Sequence, residues 1–99
     1  MIDFSSVIGF DWDTGNARKN ERHDVSQAEA EQIFSDRGLL TMQDEKHSSR
    51  ELRYIALGRI ADERLLQVAF TLRESETLIR IISARDANRR ERKAYEIQD

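Results

Sequence analysis

The stretch TLIRIISARDANRRERKAY, residues 77–95, predicts a buried strand followed by a charged helix. Its first half is rich in leucine and isoleucine, which is the composition of a buried strand. Asn88 and Glu91 have the spacing of a capping box, so a helix is predicted to begin after Asn88. Guanidinium groups bind phosphate oxygens bidentately, so the corner between strand and helix suits an anion site. The segment holds these basic residues: Arg80, Arg85, Arg89, Arg90, Arg92 and Lys93.

Two further strands are predicted before this segment. The alternation of residues 51–59 predicts one strand, in which Arg53 shares a face with Ile55 and Leu57. Residues 64–72 predict the next strand, and short turns over 60–63 and 73–76 connect the three strands. Because a parallel connection needs a dozen or more residues, these strands are expected to pair antiparallel.

The first half of the chain is predicted to add a strand, two helices and a short strand. A strand is expected over 7–12, and Asp13 suits the N-cap of a short polar helix over 14–22. Ser26 and Glu29 form a second capping box, which predicts a helix over 27–34. Residues 39–42 predict a short strand, and 43–49 a solvated loop.

This order of elements predicts an α+β fold. We expect an antiparallel sheet of four to five strands, with two N-terminal helices and a C-terminal helix packed on one side of it.

The composition is that of one soluble domain covering residues 1–99. Hydrophobic residues make up 38% and charged residues 35%, which favours a modest core under a highly charged surface. The chain has no cysteine, which excludes a disulfide framework and a cysteine-based zinc site. Neither a bilayer-spanning apolar run nor a signal-peptide pattern is visible, so a cytoplasmic location without a membrane partner is expected. The net charge of −3 argues against indiscriminate coating of nucleic acid, but it allows a local basic site.

The motifs of this chain, taken in order, resemble those of the BrnT family. The opening of the chain is similar to the family pattern F-E-W-D … K-N … K-H-G-V, and the middle to the family's central block. Residues 79–96 match the closing signature I-R-I-I-S-A-R-x-A-x-x-x-E-R-x-x-Y-E. Two positions depart from the family, since Arg22 stands where lysine is usual and Asp24 where glycine is usual. The opening and middle matches are Phe10-Asp11-Trp12-Asp13, Lys19-Asn20, His23-Asp24-Val25, His47-Ser48, Glu51-Leu52-Arg53 and Leu57-Gly58.

The resemblance implies a RelE-like fold and a ribonuclease toxin of a type II toxin–antitoxin pair. Such a toxin would cleave ribosome-bound or free RNA, without a metal or other cofactor, and inhibit translation. The implied partner is a BrnA-like antitoxin, a ribbon-helix-helix protein that neutralises the toxin. The complex would repress its own operon, so operator DNA would be reached only through the antitoxin.

RNA cleavage without a metal requires proton removal from the 2′-hydroxyl, stabilisation of the phosphorane charge and neutralisation of the leaving 5′-oxygen. Arginine suits the second task because it stays cationic and matches phosphate geometry. We therefore predict Arg53, Arg80 and Arg85 as catalytic residues, with His23 as the proton-transfer candidate. The predicted substrate-binding residues are Lys19, Ser83, Arg92 and Tyr95.

Several of these residues also have a purely structural interpretation. Arg80 shares a predicted strand face with apolar residues, where an arginine stem packs and its head reaches water. Arg85 would face away from Arg80 if the strand continued past the corner. Arg53 also suits an edge strand that discourages aggregation.

Structural roles suit the hydroxyl and imidazole side chains as well. Ser83 could instead hydrogen-bond to backbone groups at the corner between strand and helix, and the Tyr95 ring could instead pack on the core from the C-terminal helix. His23 and His47 each suit a solvated loop position.

A non-catalytic interaction domain is the alternative function. The same scaffold would then serve only as the partner and co-repressor of a DNA-binding antitoxin, and the acidic balance and Asp24 favour that interpretation. A direct DNA-binding protein is disfavoured because no recognition-helix motif is visible and the net charge is negative.

Overall fold

A five-stranded sheet organises residues 2–98, which the computed structural model describes. Within these residues β2 to β5 form an antiparallel meander, and β1 joins β5 in parallel, which gives the spatial order β1-β5-β4-β3-β2. The α+β class predicted from the sequence is confirmed. The strands are β1 (Gly9–Phe10), β2 (Leu40–Gln43), β3 (Tyr54–Arg59), β4 (Leu65–Arg73) and β5 (Leu78–Asp86). The helices are α1 (Thr14–Glu21), α2 (Gln27–Gln32) and α3 (Arg89–Ile97), with 3-10 turns at Ile33–Ser35, Glu45–His47 and Ala61–Glu63.

Several elements are shorter than predicted. β1 spans two residues rather than 7–12, because the chain leaves the edge of β5 after Asp11 donates its N–H to the carbonyl of Ile79 at 2.8 Å. β3 begins only at Tyr54, so Arg53 lies in the segment that precedes the strand. Both predicted capping boxes are present, at the starts of α2 and α3.

β5 is longer than predicted and contains a β-bulge. Ser83 pairs with Ala69, and Ile81 pairs with Phe70, so Ile82 has no partner in β4. The prediction that the strand gives way to a corner at Ser83 is therefore wrong, because the extra residue lets β5 continue to Asp86. A bulge of this kind inverts the alternation of side chains along the strand.

The bulge changes which β5 residues share a face. Ile81 before the bulge and Ala84 after it are both buried in the same core. Arg80 and Arg85 consequently lie on the other side of the sheet, together with Ser83. The expectation that Arg85 faces away from Arg80 is wrong, since it assumed uninterrupted alternation.

The main core lies on one side of the sheet, which we call the core face. α2 and its 3-10 turn cover this face and contribute Ala30 and Ile33, both fully buried. The ring of Phe34 packs edge-on against that of Phe70, with centroids 5.2 Å apart. The core face carries Ala56, Leu66, Val68, Phe70, Ile79, Ile81 and Ala84.

α3 packs on the opposite side of the sheet, which we call the cleft face. Ala94 of α3 lines a groove with Ile55 and Leu57 of β3, and both β3 residues lie in register with cleft-face residues of β4. The expectation that all helices lie on one side is therefore wrong. No helix in the described part of the chain is long and apolar enough to cross a membrane.

Asp24 has left-handed backbone geometry. Its φ is 57°, in a region that glycine enters without steric cost and that aspartate tolerates better than most residues. The backbone carbonyl of Asp24 accepts a hydrogen bond from Nη2 of Arg64 at 3.1 Å. The left-handed geometry of this turn is one that glycine would adopt without strain.

We predict that Asp24→Gly raises the free energy of unfolding by up to about 1 kcal/mol, because glycine removes the left-handed strain. Asp24→Ala should lower it by about 1 kcal/mol, since alanine loses the same carboxylate but keeps a Cβ. Urea unfolding of the three proteins measures both changes. A glycine variant less stable than the alanine variant would show that backbone strain is not the controlling factor.

Asp36 connects the turn after α2 to β3 and α3. Its Oδ2 accepts from the backbone N–H of Arg59 and from the hydroxyl of Tyr95, each at 2.7 Å. Its Oδ1 accepts from the N–H of Gly38 at 3.0 Å. Burial opposes the charge of Asp36, but the Arg59 N–H and the Tyr95 hydroxyl outweigh it and lower the pKa below its ordinary value of 3.8. The hydroxyl of Tyr95 is thus engaged in holding α3 to the fold.

Asp36→Asn is expected to lower the free energy of unfolding by about 1–2 kcal/mol near neutral pH, because the hydrogen bonds lose their charged acceptor. A lowered folded-state pKa means that the contribution of Asp36 is complete above 3.8 and is lost as the pH falls through the folded-state value. Urea unfolding of both proteins from about pH 6 to about pH 2 measures the effect. The difference in free energy of unfolding between Asp36→Asn and the natural sequence should stay constant down to about pH 4 and shrink below it.

Tyr95→Phe is the matched control for this prediction, because it removes one donor and keeps the carboxylate. It should retain most of the pH dependence. A difference between Asp36→Asn and the natural sequence that stays constant throughout the pH range would contradict the assignment.

Candidate functional site

A cleft of about 250 Å³ opens on the cleft face, beside α1. Three segments meet there: helix α1, the residues before β3, and the β4–β5 hairpin. Four cationic side chains and one carboxylate are among its lining residues, which are Gly15, Asn16, Lys19, Glu51, Arg53, Arg73, Arg80 and Ile82.

The β4–β5 hairpin delivers two of the arginines. Arg80 pairs in register with Thr71, and Arg73 pairs with Leu78, so both arginines lie on the cleft face of neighbouring strands. Thr71 is almost fully buried, and its hydroxyl donates to the carbonyl of Leu52 at 2.7 Å. This bond holds the segment that carries Arg53 against β4.

The backbone of Arg53 is fixed by the preceding loop. Its N–H donates to Oγ of Ser48 at 2.9 Å, and its carbonyl accepts from the N–H of Asp44 at 2.8 Å. Ser48 in turn donates its hydroxyl to the carbonyl of Asp44 at 2.6 Å. Arg53 therefore extends into the cleft from an ordered turn.

Asn16 attaches α1 to the edge of β5. The parallel contact of β1 ends where the N–H of Asp11 meets the carbonyl of Ile79, and Nδ2 of Asn16 donates to the next available carbonyl, that of Ile81, at 2.8 Å. The same amide donates to the carbonyl of Asp11, while Oδ1 accepts from the N–H of Asp13 at 2.7 Å. Asn16 is 3% exposed, so it is a buried amide with both ends bonded.

Acidic partners surround two of the cleft arginines. Asp13 Oδ2 lies 3.0 Å from Nη2 of Arg80, and Asp11 Oδ2 lies 3.5 Å from Nη1. The N–H of Asn16 lowers the pKa of Asp13 and the guanidinium of Arg80 lowers it further, while burial opposes both. Glu51 Oε1 lies 3.1 Å from Nη2 of Arg73.

Arg73 has one side-chain donor that no described residue accepts from. Its Nε is buried and has no hydrogen-bond partner among the residues that the structure describes. Buried N–H groups are nearly always bonded, so this one calls for an acceptor.

The structure brings three of the eight predicted site residues into the cleft: Lys19, Arg53 and Arg80. Arg73, Glu51 and Asn16 line the cleft but are not among the predicted site residues. The turn predicted over 73–76 includes Arg73, whereas in the structure Arg73 belongs to β4. Extending the alternation of β4 by one residue would have put it on the same face as Thr71.

The other predicted site residues do not line the cleft. Arg85 forms a bidentate pair with Glu91 of α3, at 2.8 and 2.9 Å, which raises the pKa of Arg85. Ser83 lies on the cleft face in β5, and Tyr95 is bonded to Asp36. The remaining two are Arg92, half-buried on α3, and His23, exposed in the turn after α1.

This arrangement is suited to binding a phosphodiester. Guanidinium groups from two strands and a loop converge with a lysine on one concave surface, and anions are the ligands that such groups recognise. The same charges can stabilise a phosphorane, whose additional negative charge develops during the attack on phosphorus.

A model of the family "Ribonuclease toxin, BrnT, of type II toxin-antitoxin system" matches residues 12–91. The matched segment includes every residue that lines the cleft. A search of the curated proteins finds no match. Because the family match extends over most of the sequence, the chain belongs to the BrnT family, the ribonuclease toxins of type II toxin–antitoxin systems.

Proposed function

We propose that this chain is a metal-independent endoribonuclease toxin, and that the cleft of Lys19, Arg53, Arg73 and Arg80 binds the scissile phosphate of RNA. The convergence of these four cations on one concave surface carries the proposal. Membership of a ribonuclease toxin family supports it. The arginines supply the charge stabilisation that a metal ion supplies in other nucleases.

The proposed reaction is an in-line attack of the RNA 2′-oxygen on the neighbouring phosphorus. The 2′-hydroxyl gives up its proton, the P–O5′ bond breaks, and the products are a 2′,3′-cyclic phosphate and a 5′-hydroxyl that has taken up a proton. Arg73 and Arg80 lie on the same face of adjacent strands, which supports our proposal that both contact the non-bridging oxygens. Lys19 is suited to bind the same phosphate or its neighbour as a point charge.

Two residues are candidates for the proton acceptor. His23 stays a prediction from the sequence, because imidazole is the side chain best suited to proton transfer near neutral pH. Glu51 is the carboxylate in the cleft lining, where it pairs with Arg73. Arg85 and Ser83 share the cleft face of β5 outside the cleft and stay predictions from the sequence, as do Arg92 and Tyr95 of α3.

Replacing Arg53, Arg73 or Arg80 singly with alanine is expected to reduce kcat/KM for RNA cleavage by about 10²-fold or more, because each loses one donor to the phosphorane. Arg37→Ala is the matched control, since it removes an exposed arginine that does not line the cleft.

Cleavage by the natural sequence should persist in EDTA and yield 2′,3′-cyclic phosphate ends. Loss of cleavage in EDTA with recovery on adding Mg²⁺ would contradict metal independence.

In cells, induced expression of the natural sequence should arrest growth and inhibit translation in the cytoplasm. Arg80→Ala should accumulate as folded protein and have neither effect.

We propose that a BrnA-like ribbon-helix-helix antitoxin neutralises the toxin and brings it to operator DNA. Co-expression of the protein encoded by the adjacent reading frame should restore growth. Harmless expression of the natural sequence with intact RNA would favour the alternative, a non-catalytic partner of a DNA-binding antitoxin.

A further inference from the structure

Two carboxylates hold the guanidinium of Arg80 from the side of the β1–α1 connection. Asp13 Oδ2 lies 3.0 Å from Nη2, and Asp11 Oδ2 lies 3.5 Å from Nη1. The Arg80 side chain is 19% exposed, so most of its length is enclosed. Both aspartates precede α1, and neither lines the cleft that Arg80 enters.

The two oxygens of Asp13 have different partners. Oδ1 accepts from the N–H groups of Gly15 and Asn16, at 2.9 and 3.3 Å, and so caps the start of α1. Oδ2 faces Arg80 of β5. One carboxylate therefore ties the cleft arginine to the beginning of the helix that carries Lys19.

This arrangement leaves donors of Arg80 available for substrate. A guanidinium has five N–H donors in a planar fork. The two carboxylates lie near Nη1 and Nη2 as ion pairs, at 3.5 and 3.0 Å, and five donors are more than two such contacts require, so donors remain for phosphate oxygens. An arginine held in this way needs less reorganisation when charge develops on the substrate.

We propose that Asp11 and Asp13 are positioning residues for Arg80, which they hold in the orientation that meets the phosphorane. This inference rests on the proposed ribonuclease function and deepens it. The opposite hypothesis treats the aspartates as competitors that a phosphate must displace. The two hypotheses predict opposite signs for the effect of removing the carboxylate charges.

The decisive variant is Asp11→Asn combined with Asp13→Asn. Asparagine at position 13 keeps an oxygen that caps α1, so the helix start is preserved while the charge is lost. Asp11→Asn alone is the second variant, because it leaves the cap untouched. Asp86→Asn is the matched control: Asp86 is 62% exposed against 58% for Asp13, and it pairs with Arg64 at 2.7 Å away from the cleft lining.

Two quantities are measured for each folded protein: the Kd for a 2′-O-methyl RNA, which has no attacking hydroxyl, and the single-turnover cleavage rate of the same RNA sequence at saturation. For the double variant we expect a Kd that is unchanged or lower, because negative charge has been removed beside the cleft. We expect its rate to fall on the order of 10-fold, because Arg80 is less well oriented. Asp11→Asn should show a smaller loss of rate, and Asp86→Asn should keep both values.

A faster rate in the double variant would overturn the inference in favour of competition, and an unchanged rate would overturn it in favour of a passive surface pair. Equal losses in the double variant and Asp86→Asn would also overturn it, because they would reflect charge or stability alone. If the proposed ribonuclease function itself is wrong, the protein of natural sequence will not cleave RNA. That result differs from every outcome that overturns the positioning role of the aspartates.

Discussion

The buried amide of Asn16 is the contact on which the geometry of the cleft depends. β1 is too short to accompany β5, and Asn16 takes the place of a strand residue by donating to the carbonyl of Ile81. The chain can then turn away into α1 without leaving that carbonyl unpaired, which a buried sheet edge would not tolerate. α1 begins beside the residue that precedes the β5 bulge, which brings Lys19 to the same cleft as Arg80.

The bulge at Ile82 adds the second constraint. In a regular strand Ile81 and Ala84 would point to opposite faces. Ile82, which has no partner in β4, shifts the alternation by one residue, so both side chains are buried on the same face. The same shift brings Arg80, Ser83 and Arg85 to the cleft face. The polar side chains of this part of β5 therefore share the side that carries the cleft, while the other side remains apolar.

The sequence predicted the fold class, both capping boxes and the antiparallel meander, because those features depend on local spacing and on short connections. It could not predict the bulge, since an extra residue in β5 becomes visible only against its partner strand. It placed Arg53, Arg80 and Lys19 among site residues, largely through motifs that resemble the BrnT family. Arg73 and Asn16 were missed because their roles depend on contacts between segments distant in sequence.

The four arginines that form ion pairs among the described residues divide into two structural kinds. Arg64 and Arg85 are bonded to carboxylates of the fold: Arg64 donates to Asp86 and Glu29, and Arg85 to Glu91. Such pairs stabilise the arrangement of helices on the sheet, each by a modest amount. Arg73 and Arg80 are also paired, but they line a cleft, and Arg73 has a buried donor without a partner among the described residues. We therefore assign substrate binding to the second kind.

The most direct measurement is an NMR titration of the arginine Nε–H signals with a 2′-O-methyl RNA. We predict that the signals of Arg73 and Arg80 move most and saturate together, while those of Arg64 and Arg85 move little. Changes concentrated on Arg89 and Arg90 of α3, with Arg73 and Arg80 unaffected, would show that RNA binds the helix surface and would contradict the assignment of the cleft.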